Sequence, residues 1–84
     1  MTSESFPTGV QYNYTVFYEP LPEGGFQVHV PAIPEIVTYG RTRDEARIMA
    51  EDAIRCVLES ARLMGEPIPH DIEPVTERLA LIVA

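Results

Sequence analysis

From Ala46 to Met64 the chain repeats apolar residues at steps of three and four: Ala46, Met49, Ala50, Ala53, Ile54, Val57, Leu58, Ala61 and Met64. That spacing draws a single apolar stripe along a helix of about six turns. Thr42 followed by Glu45 supplies a capping box at the start, with hydroxyl and carboxylate each satisfying an orphaned backbone N–H. Gly65 supplies the stop, and Pro67, Pro69 and Pro74 forbid further helix. A stripe of this length has to be buried against a second layer, so everything before and after it is constrained to build that layer.

The flanking segments read as strands. Over residues 12–19, Tyr12, Tyr14, Val16 and Tyr18 alternate with Asn13, Thr15 and Phe17, the period-two pattern of a half-buried strand. Pro20-Leu21-Pro22-Glu23-Gly24-Gly25 interrupts it with prolines that cannot donate to a ladder and glycines that accept positive φ, which makes a hairpin loop. Phe26, Val28 and Val30 then alternate with Gln27 and His29. Pro31-Ala32-Ile33-Pro34 is a rigid connector, residues 36–39 form a short third strand closed by Gly40, and residues 78–84 return to strand character.

The expected fold is therefore α+β, a two-layer β-β-β-α-β domain. Three antiparallel strands form a meander, and a right-handed crossover through the helix adds a fourth strand parallel to the first. This predicts a four-stranded mixed sheet of order 3-2-1-4 with one helix on one face. Residues 1–11, rich in Ser, Thr, Pro and Gly, are expected to form a flexible leader ahead of a single domain over residues 12–84.

Eighty-four residues with 45% apolar side chains support one core and not two. Thirteen acids against six Arg and no Lys leave a net charge of −7. This argues against direct nucleic-acid binding by a basic patch, and it suits either a basic protein partner or solubility alone, the blander reading. No apolar run approaches the length of a bilayer span, so no membrane association is expected. A lone Cys56 and an N-terminal stretch without the features of a signal peptide point to a cytoplasmic location.

Candidate chemistry is sparse. Arg47, Glu51, Arg55 and Glu59 step by four along the helix and read as a solvated charge ladder. His29 and His70 lack an adjacent nucleophile, and two His with one Cys do not make a metal site, so no catalytic, cofactor or metal residue is nominated. Cys56 reads as a small packing residue or as the flank of the stripe, in preference to a reactive thiol. Glu23-Gly24-Gly25 has no Lys and opens onto a strand, so it is a turn and not a phosphate loop.

What remains is a surface. One helix covers one sheet face, leaving Thr15, Phe17, Gln27, His29 and Ile82 on the other, too apolar to face water alone. This predicts a dimer or higher homo-oligomer, or a bound partner. Most of the net acidity lies in the loops and chain ends, and Glu19, Glu23 and Glu35 are the loop acids expected to face such a partner.

Taken in order, the segments resemble the HicB family of antitoxin-type domains. The likeness runs through Tyr14-Thr15-Val16, Glu23-Gly24-Gly25-Phe26, Pro31-Ala32-Ile33-Pro34, Thr38-Tyr39-Gly40-Arg41-Thr42, Glu45-Ala46 with Ala50 and Ala53-Ile54, and Gly65-Glu66-Pro67-Ile68-Pro69. The resemblance implies a partial ribonuclease-H-like fold without ribonuclease activity. It also implies a non-catalytic module that neutralises a small basic mRNA-cleaving toxin, HicA, by covering its active site. Many family members carry a C-terminal DNA-binding domain, and none is expected here. Glu35-Ile36 stands where the family often has Gly-Cys, and Arg41 where an acid is common. Two rival expectations accompany this one: an orphan homo-oligomeric scaffold without a toxin, and a hydrolase using His29 with a nearby acid.

Overall fold

The computed structural model describes residues 10–84. Its elements run β1 (Phe17–Pro20), β2 (Phe26–His29), β3 (Val37–Gly40) and α1 (Arg43–Met64). The helix begins and ends where its punctuation requires. Thr42 has extended backbone and its Oγ1 accepts the Glu45 N–H at 3.1 Å. The Glu45 carboxylate reaches back to the Arg41 N–H at 2.7 Å, one residue earlier than the usual capping-box donor. At the other end Gly65 turns left-handed at φ 69°, and the Glu66 N–H reaches the Ala61 carbonyl at 2.8 Å. This is the paired closure of a Schellman motif.

The three strands form an antiparallel sheet of order β1-β2-β3, with Phe17 opposite His29, Glu19 opposite Gln27, Gln27 opposite Tyr39 and His29 opposite Val37. In the β1–β2 hairpin Gly24 and Gly25 adopt φ 102° and 85°, as the loop reading required. Strand boundaries differ from the sequence reading. β1 starts only at Phe17 and takes in Pro20, β2 stops at His29, and β3 runs from Val37 to Gly40.

The helix lies on one sheet face. Val28, Ala46 and Ala50 are buried together, flanked by Val16, Tyr18 and Phe26. Small side chains on the helix let it approach closely, and Gly40 completes that approach, because a Cβ there would strike the backbone of Glu45 and Ala46. A second cluster joins Val30, Ile33 and Ile36 to Tyr14, Ala53, Ile54 and Val57. The Pro31 to Pro34 connector is thus part of the core, with Ile33 only 1% exposed. Met49 and Met64, assigned to the buried stripe, lie at its margins at 45% and 67% exposure. Among the described residues the sheet is three strands wide, too narrow to cover the whole stripe.

The fourth strand is not formed. Residues 66–84 belong to no ladder among the described residues, and Leu79, Leu81, Ile82 and Val83 face solvent. The expected order 3-2-1-4 is met in its first three members only. The physical reason lies at the exit from the helix. The Thr15 N–H, which a strand laid along this edge would use, is donated to the Asp71 carboxylate at 2.8 Å. Pro69 and Pro74 have no N–H to donate. Ile82 therefore does not join the sheet face to which the sequence reading assigned it.

Candidate functional site

Strand alternation sends Tyr18, Phe26, Val28 and Thr38 toward the helix, so the register places Phe17, Glu19, Gln27, His29, Val37 and Tyr39 together on the opposite face. This outer face is the most apolar exposed surface of the sheet, with Val37, Phe17 and Tyr39 at 59%, 45% and 44% exposure. Phe17 and His29 are cross-strand neighbours and stack with ring centroids 4.8 Å apart and 16° between planes. His29 Nε2 lies 2.8 Å from the Glu19 carboxylate. A carboxylate can only accept, so Nε2 carries the donated proton and the ring is fixed in orientation. Tyr39 extends over the hairpin and its hydroxyl donates to the Gly24 carbonyl at 3.4 Å.

Of the expected site residues, Phe17, Gln27 and His29 are brought together on this face. Thr15 lies beyond the start of β1, and its hydroxyl and amide are both occupied by Asp71 at 2.9 and 2.8 Å. Glu19 belongs to the sheet face and not to a loop, because β1 extends through Pro20. Glu23 and Glu35 are exposed at opposite ends of β2, one in the hairpin and one in the connector. Val37 and Tyr39 were missed. The alternation that begins with buried Ile36 was the available signal, and it becomes decisive only once the pairing of β3 with β2 is known.

Chemically this face is a rigid platform of two aromatic rings, an imidazole and a valine, with one carboxylate. His29 has the acid neighbour that a hydrolase reading required. Its ring face, however, is occupied by Phe17 and the pair lies on a flat sheet surface. Among the described residues no three His, Cys, Asp or Glu side chains converge as a metal site would require, and no helix is long and apolar enough to cross a membrane. Within the helix Arg47 pairs with Asp44 and Arg55 with Asp52 at a spacing of three, and Arg41, ahead of the N-cap, pairs with Glu45. The expected step-four ladder through Glu51 and Glu59 is replaced by these exposed pairs. Cys56 is exposed as a free thiol and not a packing residue.

A second polar cluster sits where the chain leaves the helix. The Tyr14 hydroxyl donates to the Pro69 carbonyl at 2.6 Å, and burial, with lesser help from Tyr12 and Asp71, raises its pKa. The Thr15 backbone N–H, then its hydroxyl, hold the Asp71 carboxyl below its ordinary pKa against a small opposing effect of burial. A carboxylate stabilised in this way keeps its contact above its ordinary pKa and loses it as pH falls through the lowered folded value. The Thr15 amide resonance is expected to titrate with a midpoint below the ordinary carboxylate value. A midpoint at or above that value in an NMR pH series would contradict the contact.

Comparison with known proteins places these observations. No family model matches the chain. The UPF0150 protein Ta0767 of Thermoplasma acidophilum is 41% identical over 58 residues, which is 69% of this chain and 84% of that protein. Antitoxin HicB 1 of Photorhabdus laumondii subsp. laumondii is 46% identical over 56 residues, 67% of this chain. The match spans only 36% of that longer protein. With most of the Thermoplasma protein matched and the antitoxin aligned over a similar length, the chain belongs to the HicB-like antitoxin family.

Proposed function

We propose that the chain is a non-catalytic protein-binding module of antitoxin type that sequesters a small basic mRNA-cleaving toxin of the HicA kind. The observation that carries the reading is the outer sheet face, where Phe17, His29, Val37 and Tyr39 present apolar area that water does not favour. The antitoxin named among the relatives supports the class of partner. The net charge of −7 supports its sign, since complementary potentials speed encounter and disfavour acidic competitors. Glu19 beside the platform, with Glu23 and Glu35 at its two ends, would meet basic side chains around an apolar centre.

The reading needs no cofactor and no direct contact with nucleic acid. The three-stranded meander followed by a helix supports the partial ribonuclease-H-like fold implied by the resemblance. The free, exposed Cys56 suits a reducing cytoplasm. Self-association accompanies this role, and an orphan homo-oligomeric scaffold is the rival.

Co-purification from the native host, with mass spectrometry and a ribonuclease assay, tests the reading. A short basic protein whose RNA cleavage is suppressed at stoichiometric ratio is expected. Recovery of the chain with copies of itself alone would favour the scaffold instead. Phe17→Ala should weaken toxin binding by about 1–3 kcal/mol, the range for a buried aromatic anchor. Calorimetric titration with unchanged affinity would remove Phe17 from the interface.

A further inference from the structure

The segment of residues 79–84 carries no charge and alternates Leu79, Leu81 and Val83 with Ala80, Ile82 and Ala84. It is the sequence pattern of a strand, yet Leu81 is 81% exposed and Ile82 is entirely so. The same molecule holds two unsatisfied features that match it. Among the described residues the outer edge of β1 beyond the Asp71 contact at Thr15, over Phe17–Pro20, has no strand beside it. A groove of about 650 Å³, lined by Tyr12, Tyr14, Val16, Ile54 and Leu58 together with the charged Glu51, Arg55, Glu59 and Arg62, opens between the approach to β1 and the helix.

The chain's own register keeps these features apart. Asp71 is fastened to Thr15 at a separation of 56 residues. A parallel strand continued at that offset would set Thr76 beside Pro20, the last residue of β1. The edge is used up before Leu79 is reached, and Leu79 would lie about 10 Å past the sheet at the usual strand rise. Pro74 also falls inside the stretch that would have to pair.

We propose that residues 79–83 of one copy add as a strand to the β1 edge of a second copy, in a reciprocal exchange that sets Leu79, Leu81 and Val83 against the Val16, Ile54 and Leu58 side of its groove. A second copy is the occupant because each chain carries both halves of the contact, one tail and one vacant edge, so a closed two-fold pair satisfies both at once. A basic toxin is the poorer candidate, since residues 79–84 offer it no charged side chain. Edge addition provides main-chain hydrogen bonds, and alternate side chains provide the fit. The exchange goes beyond the antitoxin reading and leaves the outer sheet face free for a toxin.

Sedimentation of the full chain, without any toxin, tests the exchange. A dimer is expected, and Leu81→Glu should raise its dissociation constant at least tenfold while the helical circular dichroism is kept. A wild-type monomer at millimolar concentration, or an undiminished Leu81→Glu dimer, would overturn the proposal. If the variant fails to fold, isotope-filtered NOE spectra of a mixed labelled and unlabelled wild-type sample decide. Contacts between copies from the Leu81 methyls to Val16 and Ile54 are expected. The same contacts within one copy would mean that the tail folds back on its own sheet, and contacts between copies at Phe17 and Val37 alone would mean a sheet-face dimer. Either result overturns the exchange. Loss of toxin binding plays no part in these readouts, so the antitoxin reading stands or falls separately.

Discussion

Replacing Gly40 by alanine is expected to destabilise the fold by about 3 kcal/mol, the upper end of the cost of overpacking a close-packed site. The added Cβ would meet the backbone of Glu45 and Ala46 in the first turn of α1, with no flexible side chain that could yield. The helix would have to lift away from β3, and Ala46, now fully buried, would lose its contact with Val28. A domain of this size has only about 4–13 kcal/mol of stability to lose. A fall of the melting midpoint by about 10–20 °C in a thermal scan is expected. A midpoint within a few degrees of the parent would mean that the helix does not press on the sheet at Gly40.

The second large effect is expected at Ile33. This side chain is 1% exposed and forms a cluster with Val30 and Ile36, packed on Ala53, Ile54 and Val57 of the helix. Ile33→Ala would remove three carbons and leave a cavity bounded by the Pro31 and Pro34 connector. That connector also holds the Ile33 N–H to the Val30 carbonyl at 2.9 Å and the Ile36 N–H to the Ile33 carbonyl at 3.0 Å, so it has little freedom to collapse. The expected cost is about 2–5 kcal/mol by urea unfolding, against about 0.5–1.5 kcal/mol for Ile33→Val. Equal, small effects of both substitutions would place Ile33 outside the core.

The helix was legible because its signals are local. Thr42, Glu45 and Gly65 act within one turn of themselves, and the observed caps use those same residues. The two sheet faces were legible in part, since alternation over residues 26–29 separates Val28 from His29 without reference to any other strand. Val37 and Tyr39 were not read as part of the outer face, because the side they occupy follows from pairing with β2, a contact about ten residues away in sequence. Ile33 was hidden by its flanking prolines, which mark a connector but do not say whether it runs over the surface or beneath it. The alternation of Leu79, Leu81 and Val83 reads as a fourth strand, yet the segment joins no ladder among the described residues. What the pattern lacks is the identity of the neighbouring strand, and Asp71 fastened to Thr15 withholds the nearest one. Glu19 was taken for a loop acid because Pro20 reads as a breaker, yet a proline at the end of an edge strand has no ladder bond to lose.

The family relationship and the platform face make separate demands. Membership rests on matched sequence and says nothing about which residues touch a partner. The face rests on register and exposure, which would be the same whichever protein covers it. The two meet in the expectation that a toxin sits on Phe17, His29, Val37 and Tyr39, with the helix on the far side of the sheet untouched.

Solvent paramagnetic relaxation of side-chain resonances, recorded for the free chain and for its complex with the co-purified basic protein, tests that expectation most directly. Phe17, Val37 and Tyr39 should become protected in the complex while Ile48, exposed on the helix, keeps its accessibility. Unchanged relaxation at all three sheet residues, with protection appearing along the helix instead, would contradict the account.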